Sequence, residues 1–341
     1  FHGERSDLAL PYAKSEGIAN IDGRIRPDGG GIASMRTAYL DTLYEIASAD
    51  RKVFALISDN GAIVYDKYRA DLGEQYYNMG ISEANMLGVA AGMANCGKIP
   101  FAYTIGAFLA YRAFEFIRDD ICLQNQNVKI VGTGAGMVYS ALGPTHHSTE
   151  DIGTLRVLPN LTIFSPASPL EVRKTVRAAY EMQGPVYIRL GTNKESEIYT
   201  KDYEFIPGRG VTICQGDDVT IIGTGNILVS VLQAREELEI SGISVRVINI
   251  HTLKPFDEKI VRDAVRETRG IVTVEDHNVV GGLGSAVAEI IAESGMGIKF
   301  KRVGLRDRFS KGYGNYEEVK NQNGIGMQNI VKAVNEICMN L

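Results

Sequence analysis

Short, almost unbroken apolar runs recur along this sequence, each separated from the next by a stretch of helical spacing. Val53-Phe-Ala-Leu-Ile57, Phe101-Ala-Tyr-Thr104, Val128-Lys-Ile-Val131, Leu161-Thr-Ile-Phe164 and Val186-Tyr-Ile-Arg189 read as strands. Helices are expected over 35–47, 83–95 and 109–123, and from about Leu170. A strand with one wet face alternates polar and apolar residues; these do not, so both faces are covered. That pattern demands a parallel sheet between two layers of helix. A second series repeats it: Val219-Thr-Ile-Ile222 before Gly223-Thr-Gly225 and a helix, Val245-Arg-Val-Ile-Asn-Ile250, a helix from about Asp257, Ile271-Val-Thr-Val-Glu275 and a helix from Gly284. At 341 residues the chain exceeds one ordinary core. The expected fold class is therefore α/β, with two domains, each a mostly parallel sheet flanked by helices. Residues 1–32 form a polar, Gly/Pro-punctuated N-terminal extension; 33–192 are the first domain, 193–216 a linker without periodicity, and 217–341 the second domain.

Composition removes several classes of function. A net charge of -5 with scattered Lys and Arg leaves no footprint for nucleic acid. No apolar stretch reaches the length of a bilayer span, and the first residues lack the basic-then-apolar layout of a signal peptide. Cys96, Cys122, Cys214 and Cys338 have neither pairing nor metal-ligand spacing, which points to a reducing, cytoplasmic compartment. The sequence starts at Phe1, so it is processed, carries a cloning remnant, or is a piece of something longer.

Several polar loops of the first domain follow strands, where ligands of open α/β sheets gather. One of them leads into Gly80-Ile-Ser-Glu83-Ala-Asn-Met86, a glutamate at the head of a Gly/Ala-rich apolar helix. Taken alone, Glu83 reads as an acid favoured in a first helical turn by the helix dipole. Thr104-Ile-Gly-Ala-Phe108-Leu-Ala-Tyr111 likewise reads alone as an aromatic helix face, and Gly143-Pro-Thr-His146-His147 as a loop histidine. In this order and spacing, the three segments resemble the pyrimidine-binding domain of transketolases.

The resemblance implies thiamine diphosphate as cofactor, with Glu83 against its aminopyrimidine ring, sharing a proton in a dry site. Phe108 matches the aromatic that stacks on that ring, and Tyr111 the family's third aromatic. Ile105 replaces the first aromatic, so part of the ring cage is aliphatic. Asp59, in the loop after the first strand, is a further cofactor-side candidate. His146 matches the histidine that contacts the donor's oxygen and moves protons there, a task suited to imidazole near neutral pH. His147 has no family counterpart and is a weaker substrate contact. Arg36 and Arg189 fit the phosphate-contacting positions, where a guanidinium can grip an anion with two hydrogen bonds; each could equally be a structural ion pair. The second half resembles the family's C-terminal domain through Gly216–Gly225, Lys254–Asp257 and Val274–Gly284. His277 is expected at a domain or subunit interface.

Transketolases bind the diphosphate and its Mg²⁺ through a Gly-Asp-Gly motif and a following asparagine on a separate domain, and this sequence supplies neither. No metal ligand is expected on this chain. The resemblance thus implies half an active site, completed by a diphosphate-binding partner subunit in an α₂β₂ assembly. The substrate would be a sugar phosphate or another anionic sugar. Leu142 stands where the family has an acceptor-reading Asp, Gly134 where it has a phosphate-contacting His, and Ile63 nearest a Ser. Lost polar groups change discrimination strongly, which admits a sugar with a terminal sulfonate or a branched sugar phosphate. A deoxyxylulose-phosphate synthase half, the β subunit of a 2-oxo acid dehydrogenase, and a non-catalytic partner-binding chain are the competing readings.

Overall fold

The computed structural model describes residues 34–192, 195–199 and 201–339; the N-terminal extension read over 1–32 lies outside the described residues. The first half opens with α1 (Met35–Ala49), capped by the Ser34 hydroxyl, which accepts from the Thr37 amide. β1 (Val53–Ile57), α2 (Asp66–Asp71), β2 (Tyr76–Asn78), α3 (Glu83–Asn95), β3 (Ile99–Ile105) and α4 (Gly106–Arg112) follow. The single helix expected over 109–123 is in three pieces. The chain leaves helical angles at Ala113 (φ -112°), then forms the short α5 (Phe114–Phe116) and a π-helical segment over Ile117–Leu123. β4 (Lys129–Thr133), α6 (Asp151–Leu155), β5 (Thr162–Phe164), α7 (Pro169–Glu181) and β6 (Val186–Leu190) complete this half.

The second half contains β7 (Val211–Cys214), β8 (Val219–Gly223), α8 (Leu228–Ile240), β9 (Val245–Asn249) and β10 (Thr252–Lys254). It continues with α9 (Glu258–Glu267), β11 (Gly270–Asn278), α10 (Leu283–Ser294), β12 (Lys299–Leu305), α11 (Tyr316–Gln322) and α12 (Met327–Cys338).

Two sheets result, with strand orders β10-β5-β6-β4-β3-β1-β2 and β12-β11-β8-β9-β7. Neighbours are parallel except β10 against β5 and β7 against β9. Both exceptions escape the sequence reading. β7 lies inside the stretch read as a linker, and β10, from the second half, extends the first sheet by placing Thr252 opposite Phe164 and Lys254 opposite Ile163. Neither has the continuous apolar run by which the equally short β5 is recognised: β10 is Thr-Leu-Lys, and β7 is Val-Thr-Ile-Cys and only partly buried.

Helices α1 and α7 cover one face of the first sheet through Met35, Tyr39, Leu43, Val172 and Val176. Met86, Leu87 and Ala90 of α3 and Leu109 of α4 cover the other, and this core continues into Ile222, Ile248 and Leu283 of the second half. Helices α8 and α12 close the second sheet with Val231, Leu238, Ile330 and Val334. Burial of each such side chain contributes about 1.5–3 kcal/mol.

A polar clasp joins the halves on the α7 side. Buried Glu171 accepts from the Tyr199 hydroxyl (2.7 Å), the Tyr203 hydroxyl, Asn249 Nδ2 (2.9 Å) and the Ala167 amide (2.6 Å). Burial raises the pKa of this carboxyl, and the hydrogen bonds from Tyr203, Tyr199, Ala167 and Asn249 oppose the rise. Removing the acceptor strands several buried donors, each of which then bears its desolvation cost. Glu171→Ala is therefore expected to destabilise the chain by roughly 3 kcal/mol, read from the urea midpoint. A loss below roughly 1 kcal/mol would mean that water replaces the carboxylate.

Candidate active site

The site is assembled where β1, β3 and β4 end. The Met79 amide donates to the Ile57 carbonyl (2.8 Å), prolonging the β1–β2 pairing. The Ser58 hydroxyl donates to the Gly80 carbonyl (2.8 Å) and accepts from the Ser82 amide (3.2 Å), pinning the loop that delivers α3. Glu83 is the first residue of α3 and is only 4% exposed. Its carboxylate faces Arg112, whose Nη1 lies 3.4 Å from Oε2 and 3.5 Å from Oε1. The same guanidinium lies over the Phe108 ring, 4.0 Å from its centroid. Phe108 in turn meets His146 edge-on, with centroids 5.1 Å apart, and Tyr139 approaches the imidazole from 6.5 Å.

Glu83, Phe108 and His146, remote in sequence, thus form one chain of contacts: Arg112 joins Glu83 to Phe108, and Phe108 meets His146. Sequence reasoning does not single out Arg112. The available signal is its position one turn after Phe108 on the same helix, the spacing at which side chains meet. Tyr139 escapes it as well, because its role depends on a loop conformation. Its ring lies against Gly134 (φ 83°), where a Cβ would come within 2.2 Å of it. The position where the family carries a histidine therefore has no space for a side chain here.

His146 is half-buried; its Nδ1 lies 3.0 Å from the Thr145 hydroxyl, and its Nε2 makes no hydrogen bond among the described residues. Arg36, half-buried on α1, lies beside the Tyr103 hydroxyl. Burial, with Tyr139 adding to it, pushes that phenol up to about 12, while Thr133 and Arg36 act the other way. Asp59 follows β1 in a left-handed conformation (φ 55°), accessible to Asx residues at modest cost. Its carboxylate accepts from Asn78 Nδ2 at 2.9 Å. Ile105 ends β3 directly before α4 and is half-buried. Tyr111 points to α6, where its hydroxyl donates to Glu150 (2.9 Å) and accepts from the Glu150 amide (3.1 Å). The side chain of Ile63 lies outside the described ones.

Two expected substrate contacts are placed elsewhere. Arg189 does not project into the cleft: it is 2% exposed, and its Nε donates to Asp151 Oδ2 at 2.9 Å. Its Nη2 donates to the carbonyls of Ser148 and Asp276, both at 2.9 Å. A guanidinium this deep in the fold needs a carboxylate partner, and Asp151 supplies it. His147 is also buried, with Nδ1 2.6 Å from the Ser310 hydroxyl and Nε2 without a partner. Burial lowers its pKa, which keeps it neutral. His277 lies between the halves: it is fully buried, and its Nε2 accepts from the Gly153 amide at 3.2 Å.

Among the described residues there is no group of three or more His, Cys, Asp or Glu able to hold a metal ion. The cleft nevertheless fits the base end of a thiamine cofactor. Arg112 demonstrates that a flat nitrogen-bearing group can lie on the Phe108 face and reach the Glu83 carboxylate together.

Comparison with known proteins identifies the family. Residues 32–195 match the family described as transketolase, pyrimidine binding domain, and residues 208–330 match transketolase, C-terminal domain. A 6-deoxy-6-sulfo-D-fructose transketolase subunit SqwH from Clostridium sp. (strain MSTE9) is 36% identical over 89% of this chain and 94% of its own length. One subunit of an apulose-4-phosphate transketolase from Actinobacillus succinogenes is 37% identical over 76% of this chain and 83% of its own. A solved structure described as a split gene transketolase, inactive beta4 tetramer, is 38% identical, covers 91% of this chain and 99% of its own, and superposes with a TM-score of 0.81. With both halves matched in order and near-complete overlap with separate subunits of this kind, the chain belongs to the transketolase family.

Proposed function

We propose that the chain is the pyrimidine-binding subunit of a split, thiamine-diphosphate-dependent transketolase, moving a two-carbon ketol unit from a ketose to an aldose. The observation that carries this reading is the buried Glu83 carboxylate joined by one guanidinium to the Phe108 ring, which in turn meets the His146 imidazole edge-on. When bound, the cofactor supplies a carbanion equivalent at its thiazolium ring, the hard part of the chemistry. Glu83, buried at the head of α3, would share a proton with the pyrimidine nitrogen. Phe108 offers the stacking face, with Ile105 as aliphatic packing; Asp59 is a candidate from the loop after β1, while Tyr111, turned to Glu150, braces α4 against α6. His146 offers Nε2 to the oxygen of the donor sugar. Arg36, half-buried on α1 beside Tyr103, is the proposed contact for a terminal anion.

The diphosphate and its Mg²⁺ belong to a partner subunit, and an α₂β₂ assembly is the simplest arrangement with two complete sites. The unpaired cysteines favour a cytoplasmic enzyme, and no helix among the described residues is long and apolar enough to cross a membrane. A pull-down from the native source with this chain as bait tests the reading. Recovery of a stoichiometric partner carrying Gly-Asp-Gly, with ketol transfer by the pair, is the expected result. Recovery of the chain alone, or a pair that consumes pyruvate without a ketose donor, would overturn it.

Specificity follows from one position. Leu142 is 49% exposed, two residues before Pro144 of the histidine loop. It presents an apolar surface where the family reads an acceptor hydroxyl. This favours an acceptor of altered shape or charge, such as a sulfonated or branched sugar. Leu142→Asp is expected to shift the ratio of kcat/KM between such an acceptor and a linear 2-hydroxyaldehyde phosphate by at least about tenfold. An unchanged ratio would remove Leu142 from the acceptor site.

A further inference from the structure

The loop bearing His146 is built from the first half but held by the second. It is closed at its neck, where the Ser148 amide donates to the Gly136 carbonyl at 2.8 Å. Beside that neck, Asp276 at the end of β11 accepts from the Met137 amide (3.0 Å) and the Tyr316 hydroxyl (2.6 Å). At the tip, two contacts bracket His146, both from the segment joining β12 to α11. Ser310 Oγ lies 2.6 Å from His147 Nδ1. The Tyr313 ring lies against Gly143, so close that a Cβ there would come within 2.2 Å of it.

That segment is itself rigidly mounted. Asn323 donates to the Lys311 carbonyl (2.8 Å) and accepts from the Lys311 amide (2.9 Å). Arg308 donates to the Asn323 carbonyl at 2.7 Å, and a capping box between Asn315 and Glu318 fixes the start of α11. Tyr313 is 67% exposed, so its ring adds little to the core; its buried side is the one that meets Gly143.

We propose that Tyr313 and Ser310 are positioning residues for His146. They form a stop, mounted on the second half, against which the Gly143–His147 tip is set relative to Phe108 and Glu83. Ser310 fixes the residue after His146, and Tyr313 fixes the residue that starts its turn, where the His146 amide donates to the Gly143 carbonyl (3.0 Å). A shift of about 1 Å in a catalytic group costs on the order of 100-fold in rate. The inference deepens the proposed function and rests on His146 contacting the substrate.

The test uses three variants, Tyr313→Ala, Tyr313→Phe and Ser310→Ala, with His146→Ala as reference. Backbone hydrogen exchange at 143–148 is measured on the full chain, and kcat and KM on the assembled two-subunit enzyme. The expected result is faster exchange at the His146 and His147 amides in Tyr313→Ala and Ser310→Ala. With it goes a kcat lowered about 10- to 100-fold and a nearly constant donor KM; the thermal midpoint is unchanged in Tyr313→Ala and lowered in Ser310→Ala, which strands the buried His147 Nδ1. Tyr313→Phe, which keeps the ring, restores both exchange and kcat. Unchanged exchange and kcat in Tyr313→Ala and Ser310→Ala, with His146→Ala impaired, would overturn the positioning role. A fully active His146→Ala would instead sink the catalytic reading of His146, while the exchange data would still decide whether the stop holds the loop.

Discussion

The Glu83→Gln substitution is expected to lower ketol-transfer turnover of the assembled enzyme by about 100-fold or more, with almost no change in the thermal midpoint of the chain. Glutamine keeps the volume of the side chain and still offers an oxygen to Arg112, so packing at the head of α3 survives. It cannot hold and return a proton at that oxygen, which is the one property the site requires of residue 83. Because Glu83 is buried at 4% exposure, no bulk water stands ready to substitute for it. Steady-state kinetics with a ketose donor, alongside thiamine diphosphate titration by circular dichroism, would check the expectation. Full turnover would make Glu83 an ordinary helix-start carboxylate and remove the central residue of the proposed site.

The largest effect on stability is expected at Asp151. Its side chain is fully buried against Arg189, which is 2% exposed, and it also accepts from the Tyr187 hydroxyl at 2.8 Å. Asp151→Ala leaves the interior guanidinium with two backbone carbonyls as hydrogen-bond acceptors and the more distant charge of Asp276 to offset it. A loss of about 3–5 kcal/mol is expected, measured by urea unfolding. Adding Arg189→Met to Asp151→Ala should recover part of the loss, since an apolar pair is better tolerated than a lone charge. A single-variant loss under about 1 kcal/mol would show that water reaches Arg189 and that the interior is less dry than the geometry implies.

The placement of Arg189 shows where the sequence stops being informative. Strand β1 and helix α3 emerge with the bounds that hydrophobic pattern assigns them, because burial on both faces writes itself into consecutive residues. The motifs around Glu83, Phe108 and His146 are visible because they match the family's residue types in the family's order, and the fold brings them into one chain of contacts through Arg112. An arginine at the end of a buried strand is different. Whether it grips a ligand or a carboxylate depends on a partner more than thirty residues away, and nothing local marks Asp151 as that partner. Arg112 is hidden for the complementary reason: its spacing from Phe108 is plain, but its reach to Glu83 depends on how α4 crosses α3. His147 reads as a second substrate contact beside His146, yet Ser310, from the other half, claims its ring. β10 and β7, antiparallel edge strands without a continuous apolar run, do not register at all.

Strand β10 has a consequence for how the protein must be made. The ribosome delivers β5 about ninety residues before its antiparallel neighbour, and at about 10 residues per second that leaves roughly 9 s with one border of the sheet bare. During that interval the growing chain offers unpaired backbone to any other strand nearby. A cut between the two halves would make this exposure permanent. A polypeptide divided at this middle therefore yields a first product that is open-edged and prone to self-association.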